Sequence, residues 1–134
     1  MKTATDIMTS NMVTIEPNQT ISHAVKSLLD HQISGLPVVE ADGRLVGVIS
    51  EFALLVVAYD PDSMDHPVRD HMTCDVISIG PTATVREIAD SFIVNRIRRL
   101  PVVDDGHLVG MISRRDVLRA ATLHGSSISD TVPV

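Results

Sequence analysis

Aromatic side chains are nearly missing from this 134-residue chain, which has no Trp, one Tyr and two Phe. Binding single-stranded nucleic acid by stacking needs several aromatic platforms, so that function is disfavoured. A formal charge of −6 argues against general binding to duplex DNA as well. A single cysteine, Cys74, rules out an internal disulfide framework and fits a reducing compartment. The longest apolar run, Phe52 to Tyr59, is far short of a membrane span. The opening M-K-T-A-T-D-I-M-T has no continuous apolar stretch of the signal-peptide kind. These absences together give the expectation of a soluble, cytoplasmic protein. Enzyme signatures are lacking too: there is no Walker loop, no G-x-G-x-x-G and no H-E-x-x-H, and neither Ser50 nor Ser113 lies in a G-x-S-x-G frame. A non-catalytic role with no obligatory cofactor is expected.

What the chain does contain is a duplication. Aligned on Asp6 and Asp70, the halves share Met8/Met72, Thr9/Thr73, Ile15/Ile79, Pro17/Pro81 and Thr20/Thr84. The densest match sets I-S-G-L-P-V-V-E-A-D-G-R-L-V-G-V-I-S from Ile33 against I-R-R-L-P-V-V-D-D-G-H-L-V-G-M-I-S from Ile97, with one gap in the turn. A period of about 64 is longer than that of common solenoids, so each copy reads as a supersecondary unit of its own. The simplest arrangement is face-to-face packing about a pseudo-twofold axis, with a cleft where small ligands bind.

Each copy opens with an extended segment, Val13–Ile15 or Ile77–Ile79, ended by Pro17 or Pro81. A helix follows, with Thr20 and Thr84 as N-caps and Thr84-x-x-Glu87 as a capping box. Ile21, Ala24, Val25, Leu28 and Leu29 keep the 3.6-residue period, as do Val85, Ile88, Ala89 and Phe92. Two short strands joined by Asp42-Gly43 or Asp105-Gly106 come next, and a second helix starts at Ser50 or Ser113. The fold class is therefore α/β, two β-α-β-β-α repeats with pseudo-twofold symmetry. The first repeat spans 1–59, a polar, Pro-bearing linker 60–67, the second repeat 68–124, and a C-terminal tail 125–134.

Charge is distributed unevenly: residues 1–64 carry 3 basic and 8 acidic side chains, residues 65–134 carry 8 and 9. Six arginines fall within 96–119, the natural place for an anion unless they form a solvated face. The best metal-ligand group, His66, His71 and Cys74, is too small for a structural zinc site, so no metal is expected.

D-I-M-T and D-H-M-T before the copies, L-P-V-V in each, and the G-x-I-S pattern opening each last helix make the chain closely similar to a tandem pair of CBS domains, a Bateman module, over about residues 4–122. The resemblance implies a regulatory ligand-binding module for adenosine compounds such as AMP, ADP, ATP or S-adenosylmethionine. It also implies a homodimer that signals to an effector protein in trans. The family pattern G-h-x-[S/T]-x-x-D holds ribose with its Asp. The second copy matches it as Gly110-Met111-Ile112-Ser113-Arg114-Arg115-Asp116, whereas the first has Ala53 at the acidic position. A carboxylate accepts hydrogen bonds from both ribose hydroxyls, so one competent nucleoside site per chain is expected. Ser113-x-x-Asp116 is equally a capping box that needs no ligand.

Carried over residue by residue, the resemblance assigns ribose and phosphate to Ser113, Asp116 and Arg115, and the base to Met12, Val13, Ile33, Ser34 and Gly35. Arg98, Arg99, Val76, Ile77 and Ile97 would meet phosphate or line a second site beside Ala53. The alternative function is a dimerisation or scaffold module with a degenerate ligand site.

Overall fold

The structure, a computed structural model, describes residues 1–124. Its elements are α1 (Ala4–Ile7), α2 (Ile21–His31), β1 (Gly35–Val39), β2 (Leu45–Ser50), α3 (Glu51–Ala58), α4 (Val85–Asn95), β3 (Arg99–Asp104), β4 (His107–Ser113) and α5 (Arg114–His124). The tail from 125 lies outside the described residues.

Helix starts follow the capping chemistry. Thr20 accepts a hydrogen bond from His23 N–H, and Thr84 forms the reciprocal box with Glu87. Both helices stop at a left-handed residue, Gln32 (φ 54°) and Arg96 (φ 53°), whose N–H bonds back to Leu28 O and Phe92 O. The chain then enters the hairpins β1–β2 and β3–β4, each a two-stranded sheet. In the second hairpin Asp105 (φ 51°) and Gly106 (φ 83°) both have positive φ, as a mirror-image hairpin turn requires. The first turn is one residue longer, and the register of β1 against β2 shifts between Val38 and Val39. The opening extended segments are shorter than strands: Ile15 makes a single parallel bridge to Val38, and Ile79 one to Val102.

The chain forms two compact units that do not coincide with the two sequence copies. One comprises Met1–Met12, Ile77–Asp105 and the described residues from Val109 onward, and the other Val13–Val76 and Gly106–Leu108. In the first unit Thr9 exchanges both backbone hydrogen bonds with Met111 (2.9 and 2.9 Å), and Ala4 N–H donates to Ala83 O. In the second, Thr73 does the same with Val48 (2.8 and 2.9 Å). Each D-x-M-T segment thus docks on the hairpin of the other sequence copy.

The cores are aliphatic. Ile15, Ile21, Ala24, Leu28, Leu36, Val38, Ile49, Leu54 and Val68 are buried in one unit; Ala4, Ile88, Phe92, Leu100, Val102 and Ile112 in the other. Each fully buried large aliphatic side chain contributes about 1.5–3 kcal/mol. Leu29 departs from the periodic reading and is 72% exposed. The polar stretch after α3 is structured, with 3-10 turns at Pro61–Asp65 and Val68–Asp70. His66 O accepts from Ile21 N–H, which ties that stretch to the start of α2.

Candidate functional site

At the β4–α5 junction the chain must leave a strand and start a helix, leaving the first helical N–H groups without partners. Ser113 and Asp116 satisfy them reciprocally. Ser113 N–H and Oγ–H donate to Asp116 Oδ2 at 2.8 and 3.0 Å, and Asp116 N–H donates to Ser113 Oγ at 3.2 Å. The other carboxylate oxygen, Oδ1, accepts from Arg119 Nη1 at 3.2 Å. Asp116 is mostly buried, with 16% of its side chain exposed, whereas Arg119 is 65% exposed. The two oxygens of one carboxylate are therefore used differently: Oδ2 serves the helix cap and Oδ1 pairs with an exposed cation.

The equivalent junction in the other unit keeps only half of this arrangement. Ser50 Oγ accepts from Ala53 N–H at 3.1 Å, and no carboxylate stands behind it. The helix is capped, but without a carboxylate acceptor beside the cap.

Arg114 Nε donates to Ile97 O at 3.0 Å, so the start of α5 is tied to the segment that carries Arg98 and leads into β3 at Arg99. Arg98, Arg99 and Arg115 are exposed and make no ion pair among the described residues. Three cationic side chains thus stand free on the unit that carries Asp116, a composition suited to phosphate. Ile97 packs against that unit's core, Ile77 is 40% exposed and Met12 is half-buried.

Val13, Ile33, Ser34, Gly35 and Val76 belong to the other compact unit. Val13 and Ile33 pack on its core, and Ser34 O accepts from Glu51 N–H at 2.9 Å. A Cβ on Gly35 would meet nothing closer than Ile49 O at 3.5 Å, so no crowding demands glycine there. Within the arginine-rich stretch 96–119, sequence reasoning did not single out Arg119, which pairs with Asp116, or Arg114, which bonds Ile97 O. The signal for Arg119 was its i+3 spacing from Asp116 on one helix face.

Near the start of the second sequence copy, His66 Nδ1 lies 3.2 Å from His71 Nε2 with the rings parallel to within 4°. The centroids are 5.4 Å apart, so the two nitrogens point at each other. This is the geometry of an N–H···N hydrogen bond, in contrast to lone pairs converging on an ion. Among the described residues no three His, Cys, Asp or Glu side chains group as metal ligands. No helix among them is long and apolar enough to cross a membrane.

Two helix–hairpin–helix repeats, each with a serine-capped last helix and the second with a carboxylate behind its cap, define a class of tandem repeat modules. The model of the CBS domain family matches residues 4–60 and 68–122, and the chain belongs to that family. It is 33% identical over 119 residues to the CBS domain-containing protein YhcV of Bacillus subtilis, covering 87% of this chain and 84% of that protein. Among solved structures it resembles CBSX2 in complex with AMP, at 30% identity and a TM-score of 0.83, covering 92% of this chain and 98% of that one. It also resembles the CBS domain pair of MJ0100 in complex with 5′-methylthioadenosine and S-adenosyl-L-methionine, at 27% identity and a TM-score of 0.77, covering 93% and 99%. Other relatives are longer. The chain spans 41% of the protein MJ1225 and 23% of the inosine-5′-monophosphate dehydrogenase of Methanocaldococcus jannaschii.

Proposed function

We propose that this chain is a non-catalytic regulatory module that binds one adenosine compound and reports energy or metabolite state to an effector protein. Asp116 holds the ribose hydroxyls on Oδ1, Ser113 fixes that carboxylate through the helix cap, and Arg98, Arg99 and Arg115 meet the phosphates of a nucleotide. The observation that carries this reading is the division of labour on Asp116, whose Oδ1 the helix cap does not use. The ligands of the two solved relatives share one chemical group, an adenosine whose ribose offers two adjacent hydroxyl donors. Ala53 removes the acceptor on the other side, so the stoichiometry is one per chain. Binding regulates only through different affinity for two conformations of the module.

The test is thermal unfolding with AMP, ADP, ATP, S-adenosylmethionine and NAD. A ligand at 100 times its dissociation constant stabilises the folded chain by about 2.7 kcal/mol, a shift of several degrees. No shift with any of them would favour the assembly reading.

A second observation supports a homodimer as the working form. Phe52, Leu55 and Val56 of α3 and Tyr59 at its C-cap recur at i, i+3, i+4 and i+7 and are 73%, 56%, 63% and 87% exposed. They expose on the order of 500 Å² per copy, so a twofold pair would bury about 1,000 Å², the lower bound for a specific interface. The corresponding α5 positions of Phe52 and Val56 are Arg115 and Arg119, so α3 is best matched by α3 of a second copy.

A further inference from the structure

Among the described residues three capping boxes stand, at Thr3, Thr84 and Ser113, and each carboxylate serves its cap with a single oxygen. Asp6 Oδ2 accepts from Thr3 N–H and Oγ1–H, Glu87 Oε1 from Thr84 N–H and Oγ1–H, and Asp116 Oδ2 from Ser113 N–H and Oγ–H. Only at Asp116 does a cation hold the second oxygen. We infer that Arg119 is a built-in competitor of the ligand, occupying the acceptor edge of Asp116 that a ribose diol needs and leaving it when the sugar binds. This rests on the assignment of ribose to Asp116 made above.

A carboxylate offers about four lone-pair sites, two on each oxygen. Both sites on Oδ2 are taken by the cap, and Arg119 takes one on Oδ1, leaving one. A 2′,3′-diol brings two donors, so one resident donor must go. Removing Ser113 N–H would orphan a backbone group at a helix start, which is costly. Arg119 is the donor that leaves, because it is exposed, holds by one bond and finds water at once. A sugar with a single hydroxyl donor at this edge fits the remaining site and leaves Arg119 in place.

The consequence is a selective one. Exposed ion pairs of this kind are worth at most about a fivefold change in an equilibrium constant. Arg119→Ala should tighten adenosine binding about two- to fivefold and leave 2′-deoxyadenosine unchanged. Salt weakens the resident ion pair, so wild-type affinity for uncharged adenosine should rise with ionic strength and that of Arg119→Ala should not. Calorimetric titration of wild type, Arg119→Ala and Arg119→Lys with both nucleosides at low and high salt reads all of this, with the lysine variant behaving like wild type. Equal effects of Arg119→Ala on the two nucleosides, or weaker adenosine binding, would overturn the competitor role. Adenosine binding that Asp116→Asn abolishes but Arg119 does not modulate would overturn this inference alone. No adenosine binding to wild type at millimolar concentration would overturn it together with the ribose assignment.

Discussion

Gly47→Ala is expected to destabilise the fold more stubbornly than its counterpart Gly110→Ala, although both glycines occupy the same place in the repeat. A Cβ on Gly47 would stand 2.7 Å from Met72 Sδ, 3.1 Å from Met72 Cγ and 2.9 Å from Thr73 O. The methionine can swing away. The carbonyl cannot, because Thr73 and Val48 exchange two backbone hydrogen bonds of 2.8 and 2.9 Å. On Gly110 the three nearest atoms, Sδ, Cγ and Cβ, all belong to Met8. Overpacking of this kind costs about 1–3 kcal/mol, a drop in melting temperature of roughly 3–15 °C for a chain of this size. The assay is urea and thermal unfolding of the two glycine variants, Met8→Ala, Met72→Ala and the two doubles, analysed as double-mutant cycles. Met8→Ala should relieve most of the Gly110→Ala penalty, whereas Met72→Ala should leave much of the Gly47→Ala penalty. A Gly47→Ala variant within about 0.5 kcal/mol of wild type, or one fully restored by Met72→Ala, would refute the reasoning.

Three further outcomes follow from the caps and the exposed stripe. Ala53→Asp completes an S-x-x-D box at Ser50, so it should stabilise the chain by about 0.5–1 kcal/mol in urea unfolding and raise adenosine stoichiometry from one to two. Asp6 and Glu87 have carboxyls held below their ordinary values of 3.8 and 4.5, chiefly by the backbone N–H of Thr3 and Thr84 and then by the threonine hydroxyls. Their stabilisation is complete above those ordinary values and is lost as pH falls through the lowered ones. Between about pH 5 and pH 3, therefore, Glu87→Gln should lose less of its urea midpoint than wild type does. Leu55→Asp with Val56→Asp should yield a folded monomer by sedimentation; a dimer that survives both charges would place the interface elsewhere.

Much of the fold was legible because each element carries its own local chemistry. Thr20 and Thr84 mark helix starts, Asp105-Gly106 marks a mirror-image turn, and the apolar positions of α2 and α4 keep a helical period. The docking of Asp6–Thr9 beside Met111, and of Asp70–Thr73 beside Val48, was not legible. A detached segment pairs through backbone groups that every residue has, so its side chains do not say which hairpin it joins. The methionine of D-x-M-T and the glycine before I-S read as separate motifs; the structure shows them as one contact, Met8 over Gly110 and Met72 over Gly47. At the site, Ser113 and Asp116 stood out by pattern. Arg119 did not, because an arginine three residues on is ordinary on a helix face until its partner oxygen is known to be spare.

The most direct test of the central claim is calorimetric titration of AMP into wild type and Asp116→Asn. Asparagine keeps one oxygen for the Ser113 donors, so the helix cap survives, but it presents an amide in place of the second acceptor. The account predicts one AMP per chain for wild type, an affinity at least about tenfold weaker for Asp116→Asn, and little change in the unfolding midpoint without ligand. Equal AMP affinity for the two proteins would contradict it.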